Sequence, residues 1–399
     1  MAASRTIIVA GAGIGGLTAA LALAAKGFQV IVLEKAERLE EAGAGLQLSP
    51  NASRVLIELG LERRLSESAI VPEAVTVMSG PAGRPIVRLP LGAAATQRAG
   101  APYWVIHRAD LQTALAERVR AHPLIELRLG CHFEEVTSHA EGVSVSGRRG
   151  STQLQEPALA MIGADGIWSA VRGQIFPAAQ PRFSGLIAWR ATAPLKPGTE
   201  IVREVQLWMG PGAHLVVYPI SGGRRLNLVG IVRGDWSRQG WSAPGEAADI
   251  KAGFAHWSAE AQGVIGRAES WKRWALFAMP DGGIWSNGST ALLGDAAHGM
   301  LPFAAQGAGM AIEDAAVLAK CLGEIGANSS WNAAAVPAAL RRYAAERRGR
   351  VARVQRLARQ NGAIYHFSGP AALARDIGMR LIGGERLLAR QDWVYDWQL

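Results

Sequence analysis

Arg5-Thr-Ile-Ile-Val-Ala-Gly11-Ala-Gly13-Ile14-Gly-Gly16, an apolar stretch, and then Phe28-Gln-Val-Ile-Val-Leu-Glu34 form the segment that decides the fold. Thr6 to Ala10 is apolar and β-branched, the composition of a strand buried on both faces. Gly11, Gly13 and Gly16 match G-x-G-x-x-G and open a helix through Leu17, Leu21 and Leu23. In that motif the first glycine makes a tight turn and the second admits a pyrophosphate close to the backbone. The third allows close helix-to-sheet packing. The helix N-terminus presents unpaired N–H groups and a positive dipole end to phosphates, and Lys26-Gly27 reads as its stop. Glu34 ends the second strand, where it accepts a hydrogen bond from an adenosine ribose and repels a 2′-phosphate. Strand, helix, strand and terminal acid predict an adenine-dinucleotide site. They do not say which dinucleotide.

A chain of 399 residues has room for two or three domains. With 49% hydrophobic and 19% charged residues it reads as globular rather than disordered. Cys131 and Cys321 make no disulfide framework and have no metal-ligand spacing, so no metal is expected and a reducing cytoplasm fits. A strand beginning at the fifth residue leaves no space for a secretory signal. No apolar run of the roughly eighteen residues needed to span a membrane is present. The net charge of +9 raises the question of nucleic acid, but much of it sits in one segment, eight arginines against Glu346 between Arg341 and Arg359. That segment reads as a solvated helix face and subunit contact, or as a nucleic-acid arm. No aromatic platform accompanies it, so no nucleic-acid partner is expected.

Further along, Gly43-Ala-Gly45-Leu46-Gln47-Leu48-Ser49-Pro50-Asn51 is a small-residue loop that starts a helix over 52–59. Following the ribose acid and Lys35, it is free to lie along a bound cofactor. Residues 73–103 read as short strands with many turns. Arg108 stands at a strand-to-helix junction, before a stripe of Leu111, Leu115 and Val119. It is either a guanidinium fork for a phosphate or ribityl hydroxyl, or a solvated charge. Residues 125–129 and 143–146 alternate as hairpin strands. Gly163-Ala-Asp165-Gly166 ends an apolar strand, putting Asp165 at a ligand-facing sheet edge or in an Asp-Gly turn with an N-cap function.

From 182 to 285 the chain changes to strands and Gly-rich turns, with a meander over 204–209, 213–220 and 225–232. His214, Val216 and Tyr218 share one strand face. That face either borders a mostly apolar pocket or carries polar tips to water. Then Gly294-Asp295-Ala-Ala-His298 ends another strand, the loop bends at Pro302-Phe303, and Gly307-Ala308-Gly309 opens a helix over 307–322. This second helix N-terminus suits a flavin, whose N1–C2=O2 edge gains negative charge on reduction.

The glycine motif with Glu34, the Gly163-to-Gly166 stretch and the Gly294-to-Gly307 loop together resemble the single-component FAD-dependent aromatic hydroxylases, the para-hydroxybenzoate hydroxylase-like flavoprotein monooxygenases. The nearest-looking branch contains salicylate hydroxylase, 3-hydroxybenzoate 6-hydroxylase and 6-hydroxynicotinate 3-monooxygenase. The resemblance covers about residues 5–365. It implies an α/β fold: a Rossmann-like FAD-binding domain, a β-sheet substrate domain and C-terminal helices. The expected division is 1–72, 104–178 and 286–340 for FAD, 73–103 and 179–285 for substrate, and 341–399 as a helical segment.

It further implies FAD as cofactor, NADH or NADPH as co-substrate, O2, and a small phenolic or hydroxypyridine substrate, carboxylated, hydroxylated through a C4a-hydroperoxyflavin. A monomer or homodimer is expected, with no membrane partner. Gly11, Gly13, Ile14, Gly16, Glu34 and Lys35 would hold the ADP half, Arg108 the cofactor's middle. Gly45 and Leu46 would touch the cofactor, with Asp165 and Asp295 at its phosphate and ribityl region and Pro302, Gly307 and Ala308 beside its ring. His214 and Tyr218 match a His/Tyr pair that meets the phenol, and are the candidate bases. The substrate pocket is drawn from these two with Gln47, Gln206, Trp208, Pro302 and Phe303. Gln47 and Phe303 depart from histidines of the hydroxynicotinate enzymes, which argues against that exact substrate. A flavin oxidase or dehydrogenase on the same fold, or a non-catalytic flavin- or nucleic-acid-binding protein, is the alternative.

Overall fold

A computed structural model describes residues 5–39, 44–195, 202–237, 240–326 and 333–399. Its frame is a six-stranded sheet ordered Ser286–Asn287, Thr290–Leu292, Ala160–Gly163, Thr6–Ala10, Gln29–Glu34, Ile125–Leu129. Thr6–Ala10 lies inside it, parallel to Gln29–Glu34 on one side and to Ala160–Gly163 on the other. Ile7, Ile8 and Val9 are wholly buried, as their unbroken apolar run requires. The helix Ile14–Ala24 is buried on nearly every side, because the helix Gly307–Gly326 covers the face turned from the sheet. Gly15 makes that approach possible: a Cβ there would lie 2.8 Å from Leu293 and 3.2 Å from Ala311. The two ends of the chain thereby close on one sheet.

A second, eight-stranded sheet runs Ser242–Gly245, Trp271–Ala278, Arg182–Pro194, Arg225–Arg233, Ala213–Ile220, Glu204–Gly210, Ala74–Ser79, Pro85–Pro90. The expected meander is its centre, with Ala213–Ile220 antiparallel to both neighbours. Glu204–Gly210 pairs in parallel with Ala74–Ser79, which draws residues 74–90 into a sheet whose other strands follow residue 181. One face of this sheet carries Trp208 and Trp271 and packs on Phe254 and Trp257. The other looks back toward the glycine motif.

Four local expectations are corrected. Residues 73–103 are not all strand and turn, since Gly92–Ala99 is helical; its Ala-rich sequence favours that state once Gly92 has supplied the positive φ before it. Ile125–Leu129 is no hairpin partner of 143–146 but the parallel edge of the main sheet, beside Gln29–Glu34. Gly142–Arg149 pairs instead with Cys131–His139 and Thr152–Ala158. The helix from Gly307 continues through Gly323 to Gly326; a Cβ at Gly323 would lie 3.2 Å from the Lys26 side chain, so this glycine serves close packing rather than a stop.

The fourth correction concerns the arginine-rich segment. It lies within the helix Val336–Tyr365, but is not simply a solvated face or subunit contact. Arg347 is 1% exposed, with Nη1 2.6 Å from Glu313 and Nε 2.7 Å from Asp314, both of which are fully buried. Arg350 adds a bidentate pair to Glu313 at 2.7 and 2.8 Å. Trp393 and Trp397 lie over these guanidinium groups and that of Arg353, a cation–π cover that keeps water from the cluster. Replacing Arg347 by Met would leave Glu313 and Asp314 short of a buried counter-charge. The expected cost is about 3–5 kcal/mol, read as a lower urea midpoint of unfolding for R347M than for the surface variant Arg341→Met.

Candidate active site

Between the two sheets lies a cavity of about 570 Å³, large enough for a bound organic cofactor and a small ligand. Its α/β side is built from the glycine motif. Gly11 holds φ +100 and donates its N–H to the Leu33 carbonyl at 2.7 Å. No side chain caps the first helix at Gly13, so its N–H groups face the cavity as the sequence suggested. Glu34 is partly engaged: Oε2 accepts from the Ala12 N–H at 2.7 Å and Oε1 from Ala36 at 2.9 Å. Each oxygen keeps a lone pair for a ribose hydroxyl. Ile14, Lys35, Gly45, Leu46, Arg108, Asp165, Asp295, Pro302, Gly307 and Ala308 also line the cavity. Gly16 does not. A Cβ there would sit 1.9 Å from the Gly11 carbonyl oxygen, so this glycine serves the turn itself.

Gly13 and Gly307 differ in kind from Gly16. Neither has a left-handed φ, and a Cβ on either would meet no protein atom within 4 Å. Both open onto the cavity, and nothing in the protein's own packing asks for glycine there. The space is shaped for a ligand that approaches the backbone at two helix N-termini, as a dinucleotide with a charged ring system does. Asp165 combines both of its sequence readings. Oδ2 accepts from the Ala170 and Val171 N–H groups at 2.7 and 3.2 Å, while Oδ1 is buried without a partner at the cavity wall.

The second helix N-terminus is fixed from behind. Gln306 donates to Ser49 Oγ at 2.7 Å and accepts from Asn51 at 3.1 Å, and Asn51 also donates to Glu313 at 2.6 Å. This buried chain ties the Gln47 loop to the start of the Gly307 helix. Gln47 lines the cavity with its Oε1 held by the Tyr103 hydroxyl at 2.7 Å.

His214 and Tyr218 stand on the opposite wall, together with Val216, Val229 and Ile231. Burial, reinforced by His366, holds His214 well below the usual histidine range, so its imidazole is neutral at pH 7. Burial also pushes the Tyr218 phenol up, against the opposing pull of Arg190 and Asn227, and keeps it protonated. Gly45 lets the Tyr218 ring in: a Cβ there would be 2.5 Å from its Cε2. The Gly45 N–H is held by Asn227 Oδ1 at 2.6 Å.

Three pocket expectations are corrected. Gln206 and Trp208 do not line the cavity, because Gln206 pairs with Val217 and Trp208 with Leu215. They therefore share the tryptophan-rich face of the sheet, opposite His214 and Tyr218, and bond each other at 3.1 Å. Phe303 lies behind the wall rather than on it, edge-on to the His214 ring with centroids 5.2 Å apart and packed with Ala188, Ile231 and Leu276. Sequence reading also missed Arg190, a cation on the cavity wall with Nε buried and unpartnered. Its signal was visible, an arginine inside the apolar run Ile187-Ala-Trp-Arg190-Ala. His366, bonded to His214 at 2.7 Å, had no local signal at all.

The chain is similar to known proteins over nearly its whole length. A family model described as "FAD binding domain" matches residues 4–358. The 3-amino-4-hydroxybenzoate 2-monooxygenase of Streptomyces platensis is 37% identical over 98% of this chain and 96% of its own length. The 3-hydroxybenzoate 6-hydroxylase of Polaromonas naphthalenivorans is 34% identical over 100% of this chain and 97% of its own. A solved salicylate hydroxylase substrate complex superposes with a TM-score of 0.81 at 25% identity, covering 99% of this chain and 96% of that one.

The two glycines make a paired test. A Gly13→Ala variant should fold with an unchanged unfolding midpoint yet bind FAD roughly tenfold or more weakly, since its methyl enters ligand space. Gly16→Ala should lower the midpoint of the apoprotein itself, because its clash is with backbone.

Proposed function

The chain belongs to the family of FAD-dependent aromatic monooxygenases, and we propose that within it the enzyme hydroxylates a small carboxylated phenol or hydroxypyridine, with His214 as base and Tyr218 as hydrogen-bond donor to the ring oxygen. The observation that carries the substrate class is Arg190. It shares the cavity face with Val229, its cross-strand partner, and with Val216 beyond that. Among the described residues it has no carboxylate partner, only the Trp274 ring at 5.4 Å. Burial and the neighbouring Arg108 charge press its pKa down, yet a guanidinium stays charged. A cation whose Nε is buried without a partner is costly alone and stabilised by an incoming anion.

These cavity-lining residues suit FAD: Gly11, Gly13, Ile14, Glu34 and Lys35 would hold its ADP half, Arg108, Asp165 and Asp295 its middle, and Gly45, Leu46, Pro302, Gly307 and Ala308 its ring. The interleaved domain division read from the sequence follows the same assignment. Bound FAD, reduced by NADH or NADPH, supplies activated oxygen. The chain's own residues orient the ring and ionise it. His214, neutral at pH 7, accepts the phenolic proton; Tyr218, protonated, donates to the phenolate oxygen; Arg190 holds the carboxylate. Val216, Val229, Ile231 and Met300 keep bulk water from the reacting ring.

The reading is tested with purified holoenzyme, a panel of hydroxybenzoates and hydroxypyridines, and ¹⁸O2, looking for one labelled oxygen in the product. NAD(P)H oxidation yielding only H2O2 across the panel would refute it. Arg190→Gln should weaken binding of the carboxylated substrate by about 1.5–3 kcal/mol, roughly ten- to a hundredfold, while sparing its carboxamide. Tyr218→Phe should slow hydroxylation about tenfold or more. Because His214 titrates below its ordinary 6.5, the acid limb of kcat/KM should lie below that pH, with the rate level above it.

A further inference from the structure

We propose that Asn361 and Tyr365 are positioning residues for the flavin. From the helix Val336–Tyr365 they pin the Phe303 carbonyl, and through it hold the loop 302–306 in a strained shape that favours the reduced ring. This inference rests on the reading above that Pro302, Gly307 and Ala308 lie toward the flavin ring. It extends that reading to two residues that do not line the cavity.

The loop is strained where it faces the cavity. Pro302–Ala304 forms one tight helical turn, and Ala305 then adopts φ +52 and ψ +31. Among the described residues only Ser221 and Ala305 hold a positive φ without being glycine, and of these two only Ala305 lines the cavity. The left-handed region is unfavourable for a residue with a Cβ, which stays there only where its surroundings over-determine it. A right-handed turn followed by a left-handed residue gathers successive N–H groups into a concavity for negative charge. The Ala305 N–H donates to the Pro302 carbonyl at 3.0 Å, whereas the Gln306 N–H has no acceptor among the described residues. It leads directly into the helix Gly307–Gly326, whose first N–H groups have no intrahelical acceptor.

Two restraints hold this shape, one at each end. At Gln306 the side chain is bound to Ser49 and Asn51. At Phe303 the carbonyl accepts from Asn361 Nδ2 at 3.0 Å and from the Tyr365 hydroxyl at 3.2 Å. A carbonyl oxygen only accepts, so the direction of both bonds is fixed and both of its lone pairs are engaged. Burial keeps the Tyr365 phenol protonated and able to donate. Asn361 and Tyr365 are four residues apart and share one helix face. Gly362 lets the Phe303 ring in beside them, since a Cβ there would sit 2.5 Å from its Cδ2. Arg375 donates to the Ile364 and Tyr365 carbonyls at 2.9 and 3.3 Å, which fixes the helix end that carries the pin. The Phe303 ring is already anchored among Ala188, Ile231 and Leu276. The two bonds to its carbonyl therefore add something else: they set the peptide plane from which the turn to Ala305 departs.

The consequence is electrostatic. The N1–C2=O2 edge of a flavin gains negative charge on reduction, so N–H groups held in place beside it stabilise the reduced form more than the oxidised one. A pinned loop raises the potential at which the bound flavin is reduced, and a loosened loop forfeits part of that preference. A packing defect alone weakens both redox forms alike and leaves the potential where it was.

The test compares the holoenzyme with Asn361→Leu, Tyr365→Phe and the double variant. FAD release on dilution, read by flavin fluorescence, gives the affinity for the oxidised form. Equilibration against a reference dye gives the two-electron midpoint potential. The double variant should lose about tenfold more affinity for reduced than for oxidised FAD, which lowers the potential by about 30 mV. Each single variant should fall between it and the wild type. An unchanged or raised potential in the double variant would overturn the pin. Should the double variant not retain FAD, the single variants decide by the same criterion. Gly307→Ala, whose methyl would meet no protein atom, checks the reading underneath and should weaken FAD binding about tenfold. If Gly307→Ala leaves both affinity and potential unchanged, the ring does not lie at this loop and the pin falls with that reading. If Gly307→Ala weakens FAD binding while Asn361→Leu and Tyr365→Phe leave the potential unchanged, the reading stands and the pin alone is wrong.

Discussion

Asp314 is the point on which the site's second half hangs. It has no solvent exposure, accepts from the Gly294 N–H at 3.1 Å and from Arg347 at 2.7 Å, and lies 2.5 Å from His298 Nε2. Burial pushes its carboxyl up, but His298 and Arg347 outweigh that and hold it below the ordinary range. One carboxylate thus joins the turn that presents Asp295, the helix that begins at Gly307, and the long arginine helix. Burying such a charge is unfavourable unless every partner is present. The segments that supply them come from positions 294 to 350, so the C-terminal helix is part of the cofactor side's architecture.

What could be read from the sequence was local. The Gly11 turn needs a positive φ, the strand before it must be apolar, and the helix after it must start bare; each demand falls on neighbouring residues. The same holds for His214, Val216 and Tyr218, whose shared face follows from strand alternation. Gln206 and Trp208 went astray because their face depends on register across a turn. Gly210 pairs with Ala213, leaving Pro211 and Gly212 as a two-residue loop, and that count alone sends even-numbered residues of one strand to the side of odd-numbered residues of the next. The arginine segment misled for a different reason. Charge density along a helix says nothing about what another helix brings to it, and Glu313 and Asp314 are more than thirty positions away in sequence from Arg347.

The two walls of the cavity solve the same electrostatic problem by different means. On the α/β side, helix N-termini at Gly13 and Gly307 open onto the cavity, and their peptide dipoles, which add along the axis, supplement the cations Lys35 and Arg108. A sheet offers no such field, because its strand dipoles largely cancel. An anion held against the eight-stranded sheet must therefore be met by a side-chain cation, and Arg190 is the one that this sheet brings to the cavity wall. The same sheet places a neutral histidine and a protonated tyrosine beside that cation. A phenol ionising there would gain a counter-charge that a neutral ring would forgo, so on the proposed reading the wall that meets the substrate's carboxylate would also favour the electron-rich form of its ring. On the proposed reading, binding and activation would share one field, centred on Arg190, whose Nε is buried without a hydrogen-bond partner.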